Sequence, residues 1–199
     1  MDQCTKFRWN ILFGAFWRER TAKNLGAIAL GVGLLWLAAK LKIPFYPVPQ
    51  TMQVFVLYFL AMAYGRKLAP ITVFSYIGLG MLGFPLFADT PEKGIGLPYV
   101  FGPTGGYLLG FVLFSLFFSL ALHWVEKNKI SFPVWKRMAL FLGALGFIYI
   151  PGMLWLSFWV GWQKIFAFGF HPFILAELLK VSLAVVIYPS VSHIFKKEF

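Results

Sequence analysis

The sequence predicts an all-α integral membrane protein. Of its 199 residues, 60% are hydrophobic and only 13% are charged, which is more apolar surface than a soluble domain of this length can bury. Most of the apolar residues come in blocks of about 17–25, the length that a helix needs to cross a bilayer. The Lys and Arg residues stand between these blocks, so membrane topology explains the net charge of +11 better than nucleic-acid binding does.

The chain divides into an N-terminal segment and one membrane domain. Residues 1–21 are expected to form a cytoplasmic, interfacial segment: the apolar run Trp9–Trp17 is short, ends at Arg18 and is followed by no signal-peptide cleavage site. A disordered tail is the alternative for this segment. Residues 22–199 are expected to form a six-helix membrane domain, with spans at Ala22–Leu41, Thr51–Tyr64, Leu68–Phe87, Tyr99–Trp124, Met138–Val160 and Pro172–Phe195.

Prolines and short basic loops set the ends of these spans. The second span is short and must cross with little tilt or in a thinned part of the membrane. Arg66 and Lys67 separate it from the third span, and a basic loop at 127–137 separates the fourth from the fifth. Four prolines mark ends or kinks, namely Pro85, Pro103, Pro151 and Pro172.

The distribution of basic residues predicts the orientation. Of the 18 Lys and Arg residues, 13 lie at the termini and in the loops after the second and fourth spans, 4 lie in the other loops, and Lys180 lies within a span. The positive-inside rule therefore places both termini in the cytoplasm. The outward loops, 42–50, 85–98 and 161–171, are rich in Pro and Gly. Irregular backbone near membrane depth is tolerated where it lines a cavity, which predicts an outward-facing ligand pocket.

Two charged residues lie within the last span. Glu177 and Lys180 are three residues apart and therefore share one helix face. Facing lipid they would cost several kcal/mol, whereas facing the bundle they neutralise each other and present hydrogen-bonding groups to a polar ligand. An ion pair that only fixes helix packing is one alternative. A proton or ion relay is another, although no other acidic residue lies in a predicted span.

Two further polar segments lie at the same outer level. In "PVPQTMQ", residues Gln50, Thr51 and Gln53 open the second span; Thr51 is explained equally well as a helix cap, whereas Gln53 is two residues into an apolar helix and is a candidate binding residue.

The second polar segment opens the fourth span. In "FGPTGGYLLGF", Thr104 is a candidate binding residue, and Gly105 and Gly106 let the backbone approach a ligand closely. Close packing against a neighbouring helix is the alternative for the glycines. Tyr107 either covers a polar ligand or anchors the helix at the interface.

Four motifs together resemble one known family. The segments "PVPQTMQ", "GLGMLGFPLFA", "GPTGGYLLGF" and "AELLK" occur in the same order and at similar distances in the BioY family, the biotin-binding S component of energy-coupling factor (ECF) transporters. The resemblance covers about residues 22–195 and implies six helices with an outward-facing vitamin pocket. It departs at Glu177, where the family usually has Asp, and in "ADTPEKGIG", where members tend to have a Gly-rich run, sometimes with a ligand-contacting Asn.

The resemblance implies a multi-pass protein of the cell membrane that captures biotin as its transported ligand and uses no cofactor. Glu177 can accept the ureido N–H groups of biotin, Lys180 can donate to an oxygen or hold Glu177 ionised, and Gln53 can do either. Phe87 can cover the ring, and the orientation of biotin stays open. The alternatives are an S component for another small vitamin, a solitary biotin carrier and a purely structural membrane protein.

An enzyme is not expected, because the chain has no nucleophile–base motif and no metal-ligand motif. It also has no phosphate-binding loop. The resemblance therefore implies that a membrane coupling subunit and two ATPase subunits supply the energy, with membrane lipid as the surroundings. The small-residue pairs Ala27/Gly31 and Ala29/Gly33 on the first span are candidate contacts for the coupling subunit; packing within the bundle is the alternative.

Overall fold

The computed structural model describes the backbone of residues 3–44 and 46–195 and the side chains of residues 21–44 and 46–194. Within these residues most of the chain is helical, which confirms the predicted all-α membrane protein. Five helical segments in this part are long and apolar enough to cross a membrane: Thr21–Lys40, Gln53–Met81, Gly105–Lys127, Val134–Val160 and Trp162–Ile194.

Short elements connect the long helices at one end of the bundle. Two strands of two residues each pair antiparallel, with Lys42 opposite Thr51. Two 3₁₀ turns and a five-residue helix lead into the last long helix. The elements in chain order are α1 (Gln3–Lys40), β1 (Lys42–Ile43), β2 (Gln50–Thr51), α2 (Gln53–Met81), α3 (Leu97–Val100), α4 (Gly105–Lys127), α5 (Val134–Val160), a 3₁₀ turn (Trp162–Lys164), α6 (Ile165–Gly169), a second 3₁₀ turn (His171–Phe173) and α7 (Ile174–Phe195).

Helix α2 folds back on itself at Gly65. This residue has φ 65° and ψ −168°, which interrupts the helix and suits a residue without a Cβ. Near the two ends of α2, the Gln53 Nε2 atom donates a 2.9 Å hydrogen bond to the Tyr76 hydroxyl. In a continuous helix, 23 residues would separate these positions by roughly 35 Å. Helix α2 is therefore a hairpin of two arms, with exposed Arg66 and Lys67 at its turn.

Helix α1 runs through the boundary that the sequence suggested at residue 21. It begins at Gln3 and continues to Lys40, so the N-terminal segment leads directly into the first span. Whether that segment lies on the membrane surface stays a prediction, because the side chains of residues 1–20 lie outside the described part. Lys196 and Lys197, which contributed to the predicted topology, also lie outside it.

Aromatic side chains hold α2, α4 and α5 together. The ring of Tyr58 stacks on Phe141 at 5.1 Å and meets Phe114 and Phe118 edge-on at 4.8 and 5.1 Å. Its hydroxyl donates a 2.5 Å hydrogen bond to the Phe141 carbonyl, which satisfies the phenol inside the bundle. Aromatic pairs of this kind contribute about 0.5–1.5 kcal/mol each beyond the area that they bury.

One end of the bundle gathers the irregular segments. There α1 and α5 end, α4 and α7 begin, and both ends of the α2 hairpin meet. Cross-links join these segments: Trp155 Nε1 donates to the Gly102 carbonyl at 2.9 Å, and the Tyr107 hydroxyl donates to the Gly169 carbonyl at 2.9 Å. We call this end of the molecule the loop end.

Candidate ligand-binding site

A cavity of about 60 Å³ lies at the loop end, between α2, α4, α5 and α7. Five of the eight candidate binding residues that the sequence indicated line it: Glu177, Gln53, Thr104, Tyr107 and Phe87. Most of the remaining wall is apolar or aromatic. The aromatic residues that sequence reasoning missed are Tyr76, Tyr99, Phe111, Tyr149 and Phe173.

Glu177, the buried acid of α7, lines this cavity. Glu177 is 4% exposed and Lys180 is 6% exposed. The Lys180 Nζ atom donates to Glu177 Oε1 at 2.8 Å and to the Thr51 carbonyl at 2.7 Å. Glu177 Oε2 has no hydrogen bond of ordinary geometry among the described residues, and the Tyr149 hydroxyl lies close enough to the carboxylate to act as a donor. A buried acceptor in this state is costly unless a ligand or water satisfies it.

Lys180 lies behind Glu177 and does not reach the cavity wall. It does not belong to the residues that line the cavity within the described part of the chain. Its two hydrogen bonds instead join α7 to the strand residue Thr51 and fix one side of the Glu177 carboxylate. The structure thus places Lys180 as a residue that positions Glu177, and a direct contact with ligand stays a prediction.

The amide of Gln53 is already engaged within the protein. Its Nε2 atom donates to the Tyr76 hydroxyl at 2.9 Å, and its Oε1 atom accepts from the Thr51 hydroxyl at 3.1 Å. Tyr76 in turn donates to the Leu86 carbonyl at 3.0 Å. Gln53 therefore lines the cavity as part of a hydrogen-bonded chain that joins both ends of the α2 hairpin to the following loop.

The side-chain amide of Gln50, unlike that of Gln53, has an unpaired nitrogen. Gln50 is 5% exposed and lines the same cavity, and its Nε2 atom finds no partner among the described residues. The sequence placed Gln50 at the same level but favoured Gln53 as the candidate binding residue, because Gln53 lies two residues into the apolar helix.

The glycines of α4 lie against α3 and α5. A Cβ on Gly105 would be 1.9 Å from the Val100 carbonyl oxygen, and one on Gly106 would be 2.3 Å from the Cβ of Trp155. This is the close packing that the sequence left open as an alternative. Neither glycine lines the cavity within the described residues, so a backbone contact with ligand from this position stays a prediction.

Phe87 forms an aromatic side of the cavity. It is 1% exposed, stacks on Tyr99 with ring centroids 4.9 Å apart and meets Tyr76 edge-on at 5.6 Å. Gly80 makes room for it, since a Cβ there would be 2.1 Å from the Phe87 Cζ atom. The ring is thus seated on the second arm of α2 and is available to cover an apolar ligand group.

Lysine residues fasten the loop that carries Phe87. Lys40 Nζ donates to the carbonyls of Phe87 and Thr90 at 3.1 and 3.0 Å. Asp89 forms ion pairs with Lys42 and, at 2.7 Å, with Lys93. Burial opposes the charge on Asp89, but the hydrogen bonds from the two lysines outweigh it and lower the pKa of this carboxyl below its ordinary value.

A second, larger cleft lies on the other side of Glu177 and Tyr149. It has a volume of about 330 Å³, lies between α5 and α7, and is bordered by exposed side chains such as Ile150. Apart from Glu177 and Tyr149, its lining within the described residues is aliphatic, aromatic or Gly. Gln50, Gln53 and Thr104 all line the smaller cavity, and for this reason we assign the site for a polar ligand there.

The two small-residue pairs of α1 face different surroundings. Gly31 is buried, with its Cβ position 2.6 Å from the Thr72 Cγ2 atom, and the Ala27 carbonyl accepts a 2.8 Å hydrogen bond from Tyr64. This pair packs against the α2 hairpin. Ala29 is exposed, and a Cβ on Gly33 would have no neighbour within 4 Å among the described residues.

The fold and the site together define a helical, multi-pass protein of the cell membrane with a cavity lined by polar and aromatic groups at its loop end. The chain belongs to the BioY family, whose model matches residues 11–197. This match confirms the resemblance that its motifs indicated.

Two curated relatives illustrate the family. The probable biotin transporter BioY of Pyrococcus horikoshii is 32% identical over 166 residues, which is 83% of this chain and 94% of the relative. The biotin transporter BioY of Thermotoga maritima is 37% identical over 155 residues, or 77% and 86% of the two chains. Both are named as transporters, in agreement with the expectation that the chain is not an enzyme.

A solved structure shares the fold. The S-component for biotin from an ECF-type ABC transporter superposes with a TM-score of 0.72, covering 90% of this chain and 94% of that one at 23% sequence identity. Its likeness concerns the arrangement of the helices.

Proposed function

We propose that this protein captures biotin outside the cell as the S component of an ECF-type uptake system. The observation that carries the proposal is the free Oε2 atom of Glu177, a buried acceptor on the wall of a cavity in a chain whose relatives are named as biotin transporters. The ureido ring of biotin supplies N–H donors for such an oxygen, and its apolar ring suits the aromatic wall.

The roles of the neighbouring residues follow from their contacts. Lys180 holds Glu177 Oε1, which directs Oε2 to the ligand and balances the buried charge. Phe87 and Tyr107 contribute aromatic surface, and Gln53 and Thr104 contribute polar edges. The cavity of about 60 Å³ is smaller than the several hundred Å³ usual for vitamin-sized ligands, so it must enlarge to admit biotin. We expect the loop that carries Phe87 to move outward.

The hairpin supports six membrane crossings and an outward-facing pocket. If each arm of α2 crosses once, the five long segments make six crossings, and both termini lie on the same side. The turn with Arg66 and Lys67, like the basic segment 127–137, lies at the end opposite the loop end. The positive-inside rule then directs the cavity to the outside of the cell.

Energy for uptake comes from other subunits in this proposal. The chain has no phosphate-binding loop, so a coupling subunit and two ATPases would supply ATP hydrolysis. Of the two small-residue pairs, Ala29/Gly33 has the free surface that a partner helix needs for close approach.

The test is uptake of labelled biotin by cells that express this chain alone or together with a coupling module. We expect saturable binding by the purified chain and accumulation only with the module. Accumulation by the chain alone would instead identify a solitary carrier. Binding of labelled riboflavin and thiamin is measured beside that of biotin to identify the vitamin. Saturable binding of either of these, with no saturable biotin binding, would contradict the proposal.

A further inference from the structure

We propose that Gln50 is a specificity-determining residue that donates a side-chain N–H to the ureido carbonyl oxygen of biotin. The inference rests on the proposed function and extends it to a residue that neither the motifs nor the comparisons assign. Its basis is the Nε2 atom of Gln50, which is buried on the cavity wall and has no partner among the described residues.

The contrast with Gln53 identifies Gln50 as the available amide. Both residues line the cavity and both are at least nine-tenths buried. The Gln53 amide is hydrogen-bonded at both ends, to Tyr76 and Thr51, so ligand binding through it would break existing bonds. Gln50 can bind a ligand oxygen without breaking any bond of its Nε2 atom, and doing so satisfies a buried donor.

One lysine joins Glu177 to Thr51, the neighbour of Gln50 in the chain. Lys180 Nζ lies 2.7 Å from the carbonyl of Thr51, the residue after Gln50, and 2.8 Å from Glu177 Oε1. This link holds strand β2 beside the first turn of α7 on the cavity wall. The two unpartnered atoms, one donor and one acceptor, therefore belong to residues that line one cavity and whose elements are held together by hydrogen bonds.

A cyclic urea matches these two atoms. It presents an N–H donor directly beside a carbonyl acceptor, so one ring can donate to Glu177 Oε2 and accept from Gln50 Nε2. A site with complementary buried polar groups rejects analogues that leave one of them unpaired. Gln50 would then recognise the ureido oxygen by donating a hydrogen bond to it, which Glu177 cannot do because an ionised carboxylate only accepts hydrogen bonds.

The experiment compares biotin with 2-thiobiotin, whose sulfur replaces the ureido oxygen and is a weak acceptor. Full-length purified wild type and Gln50→Met are titrated with both ligands. We expect Gln50→Met to weaken biotin binding about tenfold or more and thiobiotin binding less than about threefold, which removes the preference for oxygen. Desthiobiotin, which keeps the ureido group, should lose affinity as biotin does.

A stability measurement separates a ligand contact from a structural role. Replacing an unsatisfied buried amide by an apolar side chain of similar shape should leave the melting temperature of the ligand-free protein unchanged or higher. The shift of that temperature on adding biotin should shrink. Gln50→Glu keeps the shape but has no side-chain N–H and, when ionised, no donor at all. It should lose biotin affinity at least as strongly, and it replaces Gln50→Met should that variant not fold.

Three results would overturn the inference while leaving biotin capture intact. The first is unchanged biotin affinity in both variants, and the second is a lower melting temperature together with an equal loss of affinity for biotin and thiobiotin. The third is a Gln50 variant that still prefers biotin to thiobiotin but no longer prefers biotin to its methyl ester. The last would assign Gln50 to the valerate carboxylate. Absence of saturable biotin binding in the wild type would instead contradict the proposed function.

Discussion

Lys180 donates a 2.8 Å hydrogen bond to one oxygen of Glu177, and the other oxygen of the same carboxylate finds no partner in the described part of the chain. Both residues are buried and only Glu177 lines the cavity, so the lysine balances the charge without occupying the second oxygen. A buried ion pair adds little net stability, yet loss of one partner is strongly destabilising. This asymmetry lets binding and folding be separated by mutation.

Lys180→Met should damage both folding and binding. It leaves Glu177 buried with an uncompensated charge, a loss of about 3–5 kcal/mol in unfolding free energy. We expect a clear drop in melting temperature and biotin binding weakened at least about tenfold, or roughly 1.4 kcal/mol. Thermal unfolding and equilibrium titration measure the two effects.

Glu177→Gln combined with Lys180→Met is the matched control. The double variant has no buried charge at this position, so it should recover much of the stability lost in Lys180→Met. Biotin binding should stay at least about tenfold weaker in both Glu177→Gln and the double variant. Normal binding by Glu177→Gln and Lys180→Met alike would show that the ligand site lies elsewhere.

Glu177→Asp tests the length of the acidic side chain. The change keeps the charge but withdraws the carboxylate by about 1.5 Å, the length of one carbon–carbon bond. We expect biotin affinity to fall about tenfold, because the free oxygen no longer reaches the ligand, while the ion pair keeps the melting temperature close to wild type. Equal or tighter binding by the aspartate variant would mean that the cavity does not require the longer reach.

The ion pairs of Asp89 predict a pH dependence of biotin release. Hydrogen bonds from Lys42 and Lys93 lower the pKa of Asp89 below its ordinary value of 3.8. The stability that the ionised carboxylate contributes is therefore fully present above pH 3.8 and is lost as the pH falls through the lower pKa of the folded protein. We expect a dissociation rate that is constant from about pH 7 to pH 4 and rises below that, since the loop that carries Phe87 is then less firmly held.

Asp89→Asn supplies the control for this pH profile. It should release biotin several-fold faster at neutral pH and show little further change on acidification, because the titrating group is absent. A wild-type profile that persists in Asp89→Asn would assign the pH dependence to another group, such as the carboxylate of biotin itself.

Helical periodicity made part of the site predictable. A separation of three residues puts Glu177 and Lys180 on one face in any α-helix, and two charges in an apolar span are stable only when they face the bundle. The structure agrees: both are buried and hydrogen-bonded to each other. The common level of Gln53 and Phe87 at the loop end followed in the same way from their place at the ends of apolar blocks.

Long-range contacts were not predictable in this way. Which amide of "PQTMQ" is free depends on Tyr76, which lies 23 residues from Gln53 along the chain and is brought near by the turn at Gly65. The bond from Lys40 to Thr90 spans 50 residues, and no local pattern specifies it. The sequence shows that these residues are polar and near the membrane surface, but only the tertiary fold decides which of them are already paired.

Gly31 and Gly33 of α1 should respond differently to substitution by a larger residue. Gly31→Ala places a methyl group 2.6 Å from Thr72, so it should lower the melting temperature, with overpacking costs of about 1–3 kcal/mol. A Cβ on Gly33 has no neighbour within 4 Å in the described chain, so Gly33→Leu should leave stability and biotin binding of the purified protein unchanged. If Ala29 and Gly33 contact the coupling subunit, Gly33→Leu should abolish co-purification with the module and reduce uptake several-fold, because close helix approach needs small residues.

Gly143→Leu, the same change at an open position of α5, is the control and should retain both co-purification and uptake. Normal assembly of Gly33→Leu would place the contact on another face.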